Sequence, residues 1–184
     1  MIRAVTVDWW HTLAEPHGGD WEAFAKRSRC EAIQRVLREH GITATYERLD
    51  LAYDLWTEHM KRAWKRNVDW PADAQVLELL ACAGYDGVAE PPLLAALHEP
   101  IGSPLVLRPP EIHAGAVDVL RALRESGLKL SIISNTGRTW GRFLRRVQEK
   151  VGMGDLFDHR TWSDEARVRK PAAAIFKVTL GALG

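Results

Sequence analysis

Cysteine is almost missing from this chain. Cys30 and Cys82 are the only two, far apart and in no metal-ligand spacing, so a disulfide framework is not expected and a reducing, cytoplasmic setting fits. Long hydrophobic runs are missing too. Nothing approaches the ~20 apolar residues that a membrane span requires, and Asp8 falls where a signal peptide would need its apolar stretch. Neither sign of charge dominates: Lys+Arg 25 against Asp+Glu 24 leaves a net charge of +1. That balance implies neither a nucleic-acid footprint nor an acidic tail. Internal repeats and low-complexity segments are absent as well. Tryptophan, by contrast, is abundant. Eight residues (Trp9, Trp10, Trp21, Trp56, Trp64, Trp70, Trp140 and Trp162) are most simply core and interface filler. Where they gather on helices they suggest an apolar pocket or a homodimer face.

At 184 residues the chain can form one full domain, or a core with an inserted subdomain. Its first thirteen residues organise the rest. Ile2, Ala4, Val5 and Val7 read as a short buried strand ending on Asp8, with a turn through Trp9, Trp10 and His11 to Thr12 and Leu13. A carboxylate at the carboxyl end of a buried strand sits where open α/β sheets place their ligands, although an Asp there can also just cap a turn.

Glu15 to Asp20 is a turn-rich linker, and Asp20 is placed to cap the helix that follows. Phe24, Ala25, Ala32, Ile33, Val36 and Leu37 fall at helical spacing up to Gly41. Thr43 or Thr45 starts a second helix with a stripe of Leu49, Ala52, Tyr53, Trp56, Met60, Ala63 and Trp64; Lys61, Arg62, Lys65 and Arg66 form its solvated face. Pro71 opens a third helix, and Pro91 with Pro92 opens a short one from Leu93 to His98. Pro100, Pro104, Pro109 and Pro110 mark the exit from an all-helical block, which is an insertion and not a linker.

A second α/β portion starts near Glu111. A helix through Leu120 stops near Gly127, and Leu128, Leu130, Ile132 and Ile133 follow as a strand ending in the polar turn Ser134, Asn135, Thr136 and Gly137. Trp140 to Val151 reads as a helix, with Arg138, Arg142, Arg145 and Arg146 as a solvated face. Phe157 to Trp162 reads as a third strand, and Lys170–Pro171 precedes a last helix. Three polar stations therefore lie near strand ends: Asp8, then Ser134 with Asn135, then Lys170. In a doubly wound sheet such ends converge on one crevice. A carboxylate can act as nucleophile, a hydroxyl and turn amides can hold an anion, and a lysine can neutralise charge between them.

In this order the stations resemble the motifs of the haloacid dehalogenase superfamily of hydrolases. The first reads Asp8-Trp9-Trp10-His11-Thr12-Leu13, the second Ile132-Ile133-Ser134-Asn135, and the third ends in Lys170-Pro171 with Ile175-Phe176 beyond. The resemblance covers essentially the whole chain. It implies an α/β fold: a Rossmann-like parallel sheet core from residues 1–14 and 108–184, and an all-helical cap from residues 15–107. It also implies that Asp8 forms a covalent aspartyl intermediate and that Lys170 stabilises its charge. Thr12 would orient the loop, and Ser134, Asn135 and Trp10 would contact a small-molecule substrate. In the family's phosphatases Mg²⁺ is held by the nucleophile, by the backbone carbonyl two residues on (here Trp10), and by an acidic fourth motif.

Two departures shape the expected chemistry. The family's second Asp, which protonates the leaving alcohol in phosphatases, is Trp10 here; dehalogenases of the family carry an aromatic residue there. The fourth motif and the strand that carries it do not occur before Gly184, so the C-terminal part of the core is expected beyond the sequence in hand. Without that strand, strand one would present an apolar edge. Asp155, Asp158 and Asp164 are candidate substitute carboxylates, with turn and cap roles as the simpler assignment. Three functions follow from the resemblance: a hydrolase of a small organic phosphate, a 2-haloacid dehalogenase, or a catalytically inactive binding protein.

Overall fold

The computed structural model describes residues 2–184. Strand β1 (Ala4–Val7) leads through Asp8 and a tight turn to β2 (Ala14–Glu15). Five helices follow: α1 (Trp21–Glu39), α2 (Tyr46–Trp64), α3 (Ala72–Cys82), α4 (Pro91–Gly102) and α5 (Pro104–Leu107). The chain then runs through β3 (Glu111–Ile112), α6 (Ala116–Glu125), β4 (Lys129–Ser134), α7 (Gly141–Lys150), β5 (His159–Trp162), α8 (Ser163–Ala166) and α9 (Ala173–Leu183). No helix among the described residues is long and apolar enough to cross a membrane.

The main sheet is parallel, in the order β1-β4-β5, with Val7 opposite Ile132 and Ser134 opposite Trp162. Strand β4 is central, and Leu130 to Ser134 are all buried. The sequence reads strand one as buried, but β1 is a half-covered edge. Ala4, Val5 and Val7 are half-buried and Thr6 is exposed, and β4 is the only partner of β1 among the described residues; Ile2, just before the strand, is 76% exposed. This is the open apolar edge expected where a neighbouring strand is lacking. A second, antiparallel pair, β2 with β3, sets Ala14 opposite Ile112. The sequence gives no hint of it, since two-residue strands have no periodicity to detect. It fastens the start of the helical stretch to its end.

The helices form where apolar spacing and caps demand them. Gly41 adopts φ +74 just beyond α1, a conformation in which a side chain is disfavoured. The Thr45 hydroxyl accepts from the Arg48 amide at 3.2 Å and so starts α2. Asp20 sits at the N-cap of α1 but makes no cap bond; its carboxylate instead faces Arg108 at 3.4 Å. Helix α4 does not stop at His98. It runs through Pro100 to Gly102, because burial of Leu97, Pro100, Ile101 and Gly102 offsets the one backbone bond that proline removes.

Helix α1 packs on α2 and α4, and α3 on α2 and α4. Their interior, including Ile33, Trp56, Met60 and Leu97, is continuous with Trp9, Leu130, Ile132 and Trp162 around the sheet. Sheet and helical block therefore share one apolar core. Gly102 lies where this core is tightest: a β-carbon there would run into the ring of Phe143 on α7. Phe143 is buried and has little room to give. Gly102→Ala is expected to lower stability by about 1–3 kcal/mol, read as a lower urea midpoint at unchanged slope.

Candidate functional site

The carboxyl end of β1 presents Asp8 to Lys170, which lies in the segment between α8 and α9. Lys170 Nζ lies 2.5 Å from Asp8 Oδ2 and donates to the Ile133 carbonyl at 2.9 Å. The other Asp8 oxygen accepts from the Trp9 amide at 2.7 Å. The Asp8 side chain remains 40% exposed, so it is open to a ligand. Asn135 holds the Lys170 backbone on both sides: Oδ1 accepts from the Lys170 amide at 2.8 Å, and Nδ2 donates to the Lys170 carbonyl at 3.2 Å. Ser134 is fully buried; its hydroxyl reaches the Asn135 carbonyl at 3.4 Å. Thr12 is exposed, and the bonds that close its turn are backbone bonds to the Trp9 carbonyl from Leu13 and Ala14, each 3.0 Å. Within that turn His11 adopts φ 59, a sparsely populated conformation for a non-glycine residue.

The segment before Lys170 is clamped by the loop between α2 and α3. Val68 and Val168 form an antiparallel bridge, and the Arg169 amide donates to the Asn67 carbonyl at 2.9 Å. Between them lies Asp69, whose side chain is 0% exposed. Its Oδ2 accepts from Arg169 at 2.6 Å, Ser163 at 2.5 Å and Thr136 at 3.3 Å. Its Oδ1 accepts from the Trp64 indole and the Trp70 amide, both at 3.1 Å. The Arg169 guanidinium also stacks over the Trp64 ring at 4.5 Å. A carboxylate held by so many donors is a well-satisfied buried charge. Sequence reasoning missed Asp69, although an acid between Val68 and Trp70 is a signal of burial.

A cavity of about 390 Å³ is lined by Trp10, His11, Trp21, Arg29, Asn135, Arg138 and Arg169 among others; Asp8 and Lys170 do not line it, but their neighbours Trp10 and Arg169 do. Arg29 is 3% exposed. It donates to the Ile101 carbonyl at 2.8 Å and the Tyr53 hydroxyl at 3.0 Å, and burial pulls its guanidinium below the usual arginine range. Its place was also missed, although Ala25, Arg29 and Ile33 recur at helical i, i+4 spacing on the buried stripe. Arg138 is not part of a solvated arginine face. It stacks on Tyr53 at 5.4 Å and bonds Glu22 at 2.7 Å on the cavity wall, because it precedes α7 and turns inward. Arg145 and Arg146 do lie outside, paired with Glu165 and Glu99.

The three candidate substitute carboxylates are not beside Asp8 in any ligand cluster of the described residues. Asp158 accepts from the Leu130 amide at 2.8 Å. Asp164 accepts from the Gly141 amide at 3.1 Å and so caps α7. Burial, reinforced by Glu165 and Asp69, pushes the Asp164 carboxyl up to about 6. Its ordinary value is about 4, so the folded state binds the extra proton and stability falls as pH rises from about 4 to about 6. Asp164→Asn is expected to remove that fall, checked by urea unfolding across this window. For Asp69, Asp69→Ala is expected to cost about 3–5 kcal/mol by leaving the half-buried Arg169 without its carboxylate and four further donors unpaired, measured the same way.

Comparison with known proteins bears on the fold and the family. The chain is 27% identical to the human haloacid dehalogenase-like hydrolase domain-containing protein 3, over 98% of its own length and 68% of that relative's. Among solved structures, CbbY of Rhodobacter sphaeroides, described in complex with xylulose-(1,5)bisphosphate, aligns at a TM-score of 0.54 and 18% identity, covering 100% of this chain and 73% of that one. The HAD-hydrolase YfnB of Bacillus subtilis, described with bound magnesium, aligns at 0.53 and 16% identity, covering 98% and 73%. The chain thus spans about two thirds of the human relative's length. The family profile of haloacid dehalogenase-like hydrolases matches residues 2–184. On that match, over nearly the whole chain, the chain belongs to the haloacid dehalogenase-like hydrolases.

Proposed function

We propose that the protein hydrolyses a small anionic organic substrate, foremost an organic phosphate, with Asp8 as nucleophile. The observation that carries this is the Asp8–Lys170 contact of 2.5 Å beside a half-exposed carboxylate. An Asp8 oxygen bonds to phosphorus as the ester P–O bond breaks, and the departing alkoxide takes a proton. Water then cleaves the aspartyl phosphate, releasing phosphate and restoring the carboxylate. Lys170, fixed by Ile133 and Asn135, offsets the negative charge that gathers as the two anions meet. Arg29 and Arg138 line the adjoining cavity and favour a substrate with a further anionic group. His11, 3.4 Å from Glu15, and His17 line the same cavity, and we assign the proton for the alkoxide to His11, the nearer of the two in sequence to Asp8, where Trp10 cannot supply it. Closure by the helical block, read as a cap over residues 15–107, would keep bulk water out.

Mg²⁺, which the resemblance implies, would be met here by Asp8 and the Trp10 carbonyl. Among the described residues no cluster of three ligating side chains includes Asp8, and Lys170 already holds Oδ2. These residues do not complete a Mg²⁺ site, and each step given for Asp8, Lys170 and His11 runs on this chain's own side chains. Trp10 on the cavity wall supports a second substrate class, a 2-haloacid. An Asp8 oxygen would displace halide from carbon, the halide would leave without a proton, and water would cleave the resulting ester. The free thiols Cys30 and Cys82 support a cytoplasmic setting for either reaction.

The test is a panel of phosphate esters, with and without Mg²⁺, beside 2-haloacids, reading phosphate and halide release. Asp8→Asn and Lys170→Met are each expected to lower turnover by more than about 10³-fold, with folding unchanged by circular dichroism. Undiminished turnover in Asp8→Asn would overturn the nucleophile assignment. Absence of any turnover across the panel would leave the non-catalytic binding protein as the better description.

A further inference from the structure

Away from the crevice, helices α2 and α3 bring three metal-ligating side chains to one point. His59 comes from α2, and Glu78 and Cys82 come from successive turns of α3. His59 Nδ1 lies 2.5 Å from Glu78 Oε1, Cys82 Sγ lies 3.9 Å from His59 Nδ1, and Cys82 Sγ lies 3.8 Å from Glu78 Oε1. All three residues are half-buried, with His59 and Glu78 side chains 31% and 32% exposed. Sequence spacing conceals the group, because nineteen positions separate His59 from Glu78 and only the antiparallel packing of α2 on α3 closes the gap.

We propose that His59, Glu78 and Cys82 form a zinc site that joins α2 to α3. Bond lengths of about 2.3 Å to sulfur and about 2.0–2.2 Å to nitrogen and oxygen place tetrahedral ligand atoms roughly 3.3–3.6 Å apart. The two sulfur distances are already within a few tenths of an ångström of that. The His59–Glu78 pair must open by less than about 1 Å, which rotation of a part-exposed glutamate supplies. Thiolate, imidazole and carboxylate together form a mixed sulfur, nitrogen and oxygen set suited to zinc above magnesium or calcium. Charge balances as well: one carboxylate, one thiolate and a neutral imidazole carrying its proton on Nε2 neutralise the ion. The Cys82 proton is released to solvent on binding. The fourth position is left to water.

The full chain is freed of metal and titrated with Co²⁺ as a spectroscopic probe, then with Zn²⁺ by calorimetry. The expected result is a sulfur-to-cobalt charge-transfer band, one zinc ion per chain, and a Tm that rises with zinc. Cys82→Ser is expected to abolish the band. His59→Gln and Glu78→Gln are each expected to weaken zinc binding by more than about 100-fold, beyond the loss from a merely supporting partner. Cys30→Ser and Asp8→Asn are expected to leave binding intact. If Cys82→Ser fails to fold, the His59 and Glu78 variants decide the question alone. No charge-transfer band in the unaltered chain, or zinc affinity in both the His59 and Glu78 variants within about 3-fold of it, overturns the site. Loss of binding in Asp8→Asn also overturns it, since the metal would then sit in the crevice.

Discussion

The Asp69 carboxylate is the constraint on which the rest of the site depends. It has no solvent contact of its own, so every lone pair must find a protein donor or its burial is unaffordable. Those donors come from the end of α2, from its own loop, from Thr136 after β4, from Ser163 at the start of α8, and from Arg169. Five donors from separate elements are thereby fixed around one anion. Arg169 is the residue before Lys170, so the ion pair that locks the helical block to the sheet also sets where the lysine ammonium meets Asp8. A buried ion pair of this kind adds little net stability over an apolar substitute. What it supplies is a unique arrangement.

Charge is distributed unevenly around the crevice. The chain as a whole is nearly neutral, yet Arg29, Arg138 and Arg169 all line one cavity. Arg29 is buried inside an apolar helical bundle and is held there by a carbonyl, a hydroxyl of Tyr53 and Thr139. Held in this way it is pre-organised, with little side-chain freedom left to lose. Trp10 and Trp21 supply the apolar part of the same wall, whereas Trp9, Trp56, Trp140 and Trp162 are fully buried. The tryptophans thus divide between filling the core and shaping the crevice.

The edge of the sheet has a different character. Strand β1 carries Asp8 at its end, yet it is only half-buried, and among the described residues only β4 pairs with it. Asp8 is held in place by the turn that follows and by Lys170, not by a fully enclosed strand. The continuous apolar core beneath, running from Trp9 to Trp162, is what keeps the strand end from shifting against β4.

The sequence by itself determined the elements whose signal is local. The stripes of α1 and α2, the stop at Gly41, the Thr45 cap, the buried run of β4, and the three polar stations of Asp8, Ser134–Asn135 and Lys170 are all legible. Each rests on periodicity, on a residue with one conformational use, or on a side chain whose chemistry is distinctive. Tertiary structure decided what depends on distant neighbours. It carried α4 past Pro100, placed Asn135 on the Lys170 backbone, turned Arg29 and Arg138 inward, and buried Asp69 among five donors. It also brought His59 to Glu78 and Cys82. No window of sequence contains these partners together, because burial and pairing are properties of packing between elements, and packing is fixed only when the helical block closes on the sheet.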